Sequence, residues 1–208
     1  MYELVKTRRQ QKAFENIWEF SCEKQGWRND PYAEMGIRYN LLLPKKHLLR
    51  KRKVIGTIEF IPYDPTNPHS TVEGPTRWEF SKHEEIMAYQ SQTWEIDKLC
   101  IHPKYQRQGY FPFFMHVFAE HAILHQPKYY LALIEKKLYR MLRISFGLRV
   151  EQKGEEFIGP DTVLIPIVFD INKIMEDEER ISRVLGIERA FRHGKQQDKG
   201  LFHNLLNR

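Results

Sequence analysis

The stretch Trp94-Glu-Ile-Asp-Lys-Leu-Cys-Ile-His-Pro-Lys-Tyr-Gln-Arg-Gln-Gly-Tyr-Phe-Pro-Phe-Phe-Met115 reads as a strand, a short turn and the start of a helix. Residues 93–101 are rich in apolar and aromatic side chains, and Glu95 and Asp97 share one alternating face. His102 and Pro103 stop the strand, Gly109 marks a turn, and Pro112 suits a first helical turn, where a missing N–H costs nothing. Phe113, Phe114, Val117, Phe118 and Ala122 continue the helix. A turn that feeds a helix N-terminus presents unpaired amides and a positive dipole end, which together suit a phosphate.

Composition bounds the rest. The chain has 208 residues, 41% hydrophobic and 13% aromatic, enough for one folded domain with a sizeable core. No apolar run approaches the ~20 residues of a membrane span, and no signal-peptide pattern opens the chain, so a cytoplasmic protein is expected. Two cysteines, Cys22 and Cys100, are read as reduced thiols, and no Cys/His spacing suggests a metal site. The net charge of +6 favours acidic partners. Its densest cluster is Lys45, Lys46, His47, Arg50, Lys51, Arg52 and Lys53, read as a solvated turn or a dock for an acyl carrier protein. Nucleic acid ranks last, because no aromatics interleave with those cations.

Working outward, strands are expected at 2–6, 37–43, 54–61, 129–134, 148–152 and 163–169. Helices are expected at 8–25, with Gly26 just past its end, at 135–145, and from an Asn172 cap to near Gly186. Residues 62–92 form a long link rich in turn residues, with a short helix at 82–89. It is read as a lid or acceptor wall, or else as a tolerated insertion. The apolar residues of the tail, Phe191, Leu201, Phe202, Leu205 and Leu206, suffice for a docking helix. The order β-α-β-β-loop-β-α-β-α-β-β gives a mixed α/β sheet of about seven strands. Residues 1–170 form the main unit, and 171–208 form a C-terminal helix with a basic tail.

The run Gln106-Arg107-Gln108-Gly109-Tyr110-Phe111 resembles the coenzyme A turn of the GNAT acyltransferase superfamily, with Phe111 where a small residue is usual. Residues 54–62, 95–101, 138–147 and 154–160 resemble, in order, motifs of its acyl-homoserine-lactone synthase and N-acyl amino acid synthase branch. In that branch an N-terminal Arg, Phe and Trp set precedes paired aspartates. Arg9, Phe14, Phe20 and Trp27 echo the set, but only Asp30 stands near the aspartate position, so lactone synthesis is not expected.

The resemblance implies a GNAT-like, mostly antiparallel sheet. It also implies acyl transfer from acetyl-CoA or a longer acyl-CoA to a primary amine, with a small-molecule acceptor and no metal. Catalytic candidates are Glu95 as general base, Asp97 beside it, and Tyr139 as acid for the leaving thiolate. Leu99, Cys100 and Ile101 would line the pantetheine arm, and Gln106, Arg107, Gln108, Gly109, Tyr110 and Phe111 the pyrophosphate. Trp78, Phe80 and Lys98 are the acceptor-side candidates, with Tyr89 as a further contact. A non-catalytic binding module of the same fold is the reading from a different class.

Overall fold

The first helix is bounded by its own sequence. Thr7 caps it, its side chain accepting from the Gln10 amide while the Gln10 side chain accepts from the Thr7 amide, and Gly26 closes it at φ 73°. In the computed structural model, which describes residues 1–43, 52–145, 147–159 and 161–186, this helix α1 (Arg8–Gln25) follows β1 (Tyr2–Leu4). Then come β2 (Ile37–Leu42), β3 (Val54–Pro62), the short α2 (Glu84–Met87) and β4 (Thr93–Ile101). Next are α3 (Pro112–His125), β5 (Tyr129–Ile134), α4 (Lys136–Arg140), β6 (Val150–Gln152) and β7 (Phe157–Ile158). β8 (Val163–Asp170), α5 (Ile171–Met175) and α6 (Glu178–Val184) complete the order. Most of the expected basic cluster, Lys45 to Lys51, and the tail residues 187–208 lie outside the described residues.

Among the described residues the sheet has eight strands, in the order β1-β2-β3-β4-β5-β8-β6, with β7 also paired to β8. Among the described strand pairs, only β4 and β5 are parallel. That is what a crossover helix between them, α3, requires. The 62–92 link joins β3 to β4, which are antiparallel neighbours.

Each face of the sheet has its own cover. On one, Phe114, Met115 and Val117 of α3 pack on Tyr39, Ile58, Phe60 and Tyr130, and Ile181 of α6 joins the same core. On the other, Phe14, Trp18 and Cys22 of α1 meet Cys100. Beside them the long link lays Val72, Phe80 and Ile86 over Tyr129, Leu131 and Val168 of β5 and β8. The link is therefore a packed second core, which accounts for its apolar residues. Among the described residues no helix is long and apolar enough to cross a membrane.

Three sequence expectations change. The sheet gains an eighth strand, because two residues, Phe157 and Ile158, pair with β8 in the turn-rich 153–162 stretch. The expected 135–145 helix is α only to Arg140 and ends in a π-helical turn, Met141–Ser145. The C-terminal helix is two helices: Asp170, not Asn172, caps α5, and Asp177 breaks the run and caps α6. In both places the aspartate carboxylate accepts from the third amide on.

β3, β4 and α3 meet at Gly56, where an added Cβ would lie 2.5 Å from the Cys100 carbonyl oxygen and 3.3 Å from the Phe114 ring. Gly56→Ala is expected to lower unfolding free energy by about 1–3 kcal/mol through overpacking. Urea denaturation checks this, with an unchanged midpoint as the contrary result.

Candidate functional site

β4 pairs with β5 only from Thr93–Tyr129 to Glu95–Leu131, and the two strands then part. The opening holds a cavity of about 250 Å³. Ile96, Leu99, Leu133, Ile134, Leu138 and Leu164 give it an apolar side. Thr71, Arg77, Asp30, Asp97, Lys98 and Glu135 give it a polar one, with Trp18 and Trp27 at the α1 end. Beyond Glu95, among the described residues, no strand pairs with the edge of β4 that faces β5, so its peptide groups there are open to a ligand.

A β-bulge sets the polar side. Glu59 faces Asp97 and Thr57 faces Cys100, so β4 carries one residue more than β3 between these pairs. Lys98 takes the left-handed conformation at φ 49° and turns its side chain inward. Its ammonium lies 2.6 Å from Asp97 Oδ2, 3.0 Å from Glu59 Oε2 and 3.3 Å from the Pro31 carbonyl. The Tyr32 and Trp18 rings stand 5.3 and 6.0 Å away. Arg38 Nε pairs with the other Glu59 oxygen at 2.7 Å, so two cations balance two carboxylates. Burial works against the Lys98 ammonium, but Asp97 and Glu59 outweigh it and hold its pKa above that of a free lysine. Burial pushes Glu59 upward, against the pull of Lys98. Lys98 donates hydrogen bonds to Asp97 and to the Pro31 carbonyl and pairs with Glu59 by charge.

Glu95 sits two residues before Asp97 on the same face, in a different environment. It is fully buried. One carboxylate oxygen accepts from Ser70 Oγ at 2.8 Å; the other accepts from the Thr71 amide at 2.7 Å and from Thr71 Oγ1 at 2.8 Å. Thr71 lines the cavity and Glu95 does not. Burial raises the Glu95 pKa to about 7, opposed by those hydrogen bonds and helped by the Asp97 charge.

Beyond β4 the chain makes the turn at 106–111. Arg107 and Gly109 are both left-handed, at φ 60° and 77°. The Gln106 and Gln108 side chains donate to the carbonyls of Ile101 and Lys104 and brace the turn from within. Among the described residues, the amides of Arg107, Gln108, Gly109 and Tyr110 donate to no acceptor. Successive free amides in such a conformation form an anion-binding nest. Phe111, in the position where a small residue was expected, has helical backbone angles and packs on the core, 5.8 Å from the Phe114 ring.

The cavity thus gathers Asp97, Lys98 and Leu99 from the sequence candidates. Ile101 packs toward α3, whereas Cys100 is buried on the α1 side, where Ser21 and Thr57 contact its sulfur and burial pushes its thiol upward. Tyr139 lies in the main core, its hydroxyl accepting from Arg143 at 3.1 Å. Phe80 is fully buried in the second core, and Trp78 packs on Phe157; neither lines the cavity. Thr71, Arg77 and Glu135 are added by the structure. Nothing local in their sequence marks them, since the fold brings together two separate segments, the long link and the end of β5.

The Glu95 pKa fixes a pH dependence. A carboxyl whose folded pKa is raised contributes stability that is full below its unfolded value, near 4.5, and is lost as pH rises through about 7. The stability difference between the native chain and Glu95→Gln should therefore move against the native chain across that window by on the order of 3 kcal/mol. Chemical denaturation at several pH values measures it, and a flat difference would contradict the burial argument.

No family model and no curated protein matches the sequence. Solved structures match the fold. FeeM, an N-acyl amino acid synthase from uncultured soil microbes, matches at 13% identity over 85% of this chain and 93% of its own, with a TM-score of 0.59. A CoA-dependent acyl-homoserine lactone synthase, MesI, matches at 15% identity over 89% and 95%, also with a TM-score of 0.59. Spermidine N-acetyltransferase from Vibrio cholerae, in complex with CoA and spermine, matches at 10% identity over 84% and 98%, with a TM-score of 0.51. With its splayed parallel pair, its anion-ready turn and these neighbours, the chain has the GNAT-like fold, in the form shared with acyl-homoserine-lactone synthases and N-acyl amino acid synthases.

Proposed function

We propose that the chain is an N-acyltransferase that moves an acyl group from a CoA-type thioester to a primary amine. One observation carries the reading: a single strand, β4, both walls the cavity with Asp97 and Leu99 and runs into the turn with free amides. A donor with phosphates at one end and a thioester at the other fits that arrangement. The nest would hold its pyrophosphate, with exposed Lys104 and Arg107 alongside. The acyl chain would lie among Ile96, Leu99, Leu133 and Leu138. Pantetheine bound to an acidic carrier protein would use the same wedge, so both donors belong in the test.

The acceptor would enter as an ammonium on the polar side. Asp97, with Glu135 at the end of β5, supplies carboxylates there. Loss of a proton to Asp97 frees the nitrogen lone pair, which attacks the thioester carbonyl carbon. The open peptide N–H groups of β4 would take the charge that builds on the carbonyl oxygen. Collapse breaks the C–S bond, and the departing thiolate takes the second proton shed by the new amide nitrogen, leaving the free thiol on the donor. Lys98 holds Asp97 in place. Tyr139 takes no part in this reading.

Calorimetry with acetyl-CoA and myristoyl-CoA is expected to register binding by at least one. Gly109→Val should weaken it by about tenfold. The space around Gly109 is open, with nothing within 4 Å of an added Cβ. The loss would come from the left-handed backbone, which costs a residue with a side chain roughly 1–2 kcal/mol. No heat from either ligand, with the protein folded, defeats the donor assignment.

On the acceptor side, Asp97→Asn should lower kcat by about 10²–10⁴-fold, the range for a positioned base. Glu135→Gln should chiefly raise the KM for amine, and neither change should alter donor affinity more than about twofold, because both sit away from the nest. Steady-state kinetics with a panel of amines decides. Near-normal kcat in Asp97→Asn assigns the proton to water.

A further inference from the structure

We infer that Glu95 is a positioning residue, which fixes the acceptor wall of the cavity by holding Ser70 and Thr71, rather than the base that touches the amine. The kinetic part of this inference rests on the acyl-transfer reading; the structural part does not. A base needs hydrogen-bond reach to the proton it removes. Glu95 is fully buried, lies outside the cavity lining, and spends three of roughly four lone-pair sites on two neighbouring residues.

What those bonds accomplish is visible on the far side of Thr71. The Thr71 carbonyl accepts from Arg77 Nη1 at 2.8 Å, and Arg77 Nη2 donates to Asp30 Oδ2 at 2.7 Å. Thr71, Arg77 and Asp30 all line the cavity. Glu95 is thus the strand-borne end of a chain of bonds that crosses the cavity wall to the segment between α1 and β2. The same short stretch is folded on itself. Ser70 Oγ accepts from the amides of Val72 and Glu73, the Trp78 amide donates to the Val72 carbonyl, and the Arg77 amide donates to the Gly74 carbonyl. A shift of Thr71 would therefore move the turn at 70–78 as a unit and carry Arg77 with it.

Glu95→Gln and Thr71→Val test the inference. Gln keeps the shape and can still accept from Thr71; Val keeps the backbone bond and loses only the hydroxyl. Each is expected to raise the KM for amine by about fivefold, one hydrogen bond's worth. The kcat should stay within about threefold and donor affinity within about twofold, while amide hydrogen exchange quickens at 70–78. Loss of 10² or more in kcat in Glu95→Gln alone, with amine KM unchanged, makes Glu95 the base and overturns the inference. Unchanged exchange at 70–78 in both variants overturns it as well. If the native chain transfers no acyl group to any amine, the function reading falls, and the exchange measurement still decides whether Glu95 holds the wall.

Discussion

Everything in the site depends on keeping one lysine charged inside the protein. Lys98 is as buried as any core residue, and an ammonium there is tolerable only because Asp97 and Glu59 sit within 3.0 Å of it. Arg38 then balances the surplus carboxylate. Removing one partner from such a group leaves an unpaired buried charge, at a typical cost of about 3–5 kcal/mol. The network is tight enough to exclude side chains nearby: a Cβ on Gly36 would fall 2.1 Å from the Glu59 carboxylate. It joins β2, β3 and β4 and, through the Trp18 ring of α1 and through Pro31 and the Tyr32 ring, pins α1 and the segment after it across them.

The bulge that admits Lys98 also reorganises the strand. Before it, Glu95 and Asp97 point to the face covered by α1 and the long link. After it, Cys100 takes that face, and Leu99 and Ile101 turn toward α3. The strand has already left β5 after Glu95, so the reorganised segment borders open space. The wedge, the inward carboxylate and the apolar floor all follow from that local geometry.

How far this was legible in the sequence follows from the range of the forces involved. α1 and β4 have the bounds their sequence predicts, because capping, alternation and Gly26 act within a few residues. The turn at 106–111 was legible for the same reason. The inward turn of Lys98 was not. Its left-handed backbone is unfavourable locally and is imposed by Glu59 and Asp97, of which Glu59 lies some forty positions away in the chain. Phe80 looked like a contact residue in a loop, yet it covers β5 and β8, because an apolar side chain in a long link contributes most where it can be buried. β7 escaped notice because two residues carry no period.

The long link finally sets apart the two carboxylates of β4. Glu95 and Asp97 lie about 7 Å apart along one strand and share a face. Alternation alone gives them equal claims. The link breaks the symmetry by folding Ser70 and Thr71 down onto Glu95, supplying three donors and removing water, and by stopping short of Asp97. One carboxylate becomes an anchor and the other stays open to a ligand. On the proposed reading, an acceptor amine would be read by a wall built on the link, while the acyl donor would be held by β4 and the turn that follows it. Such a division lets the acceptor preference change through residues 70–78 without disturbing the donor site.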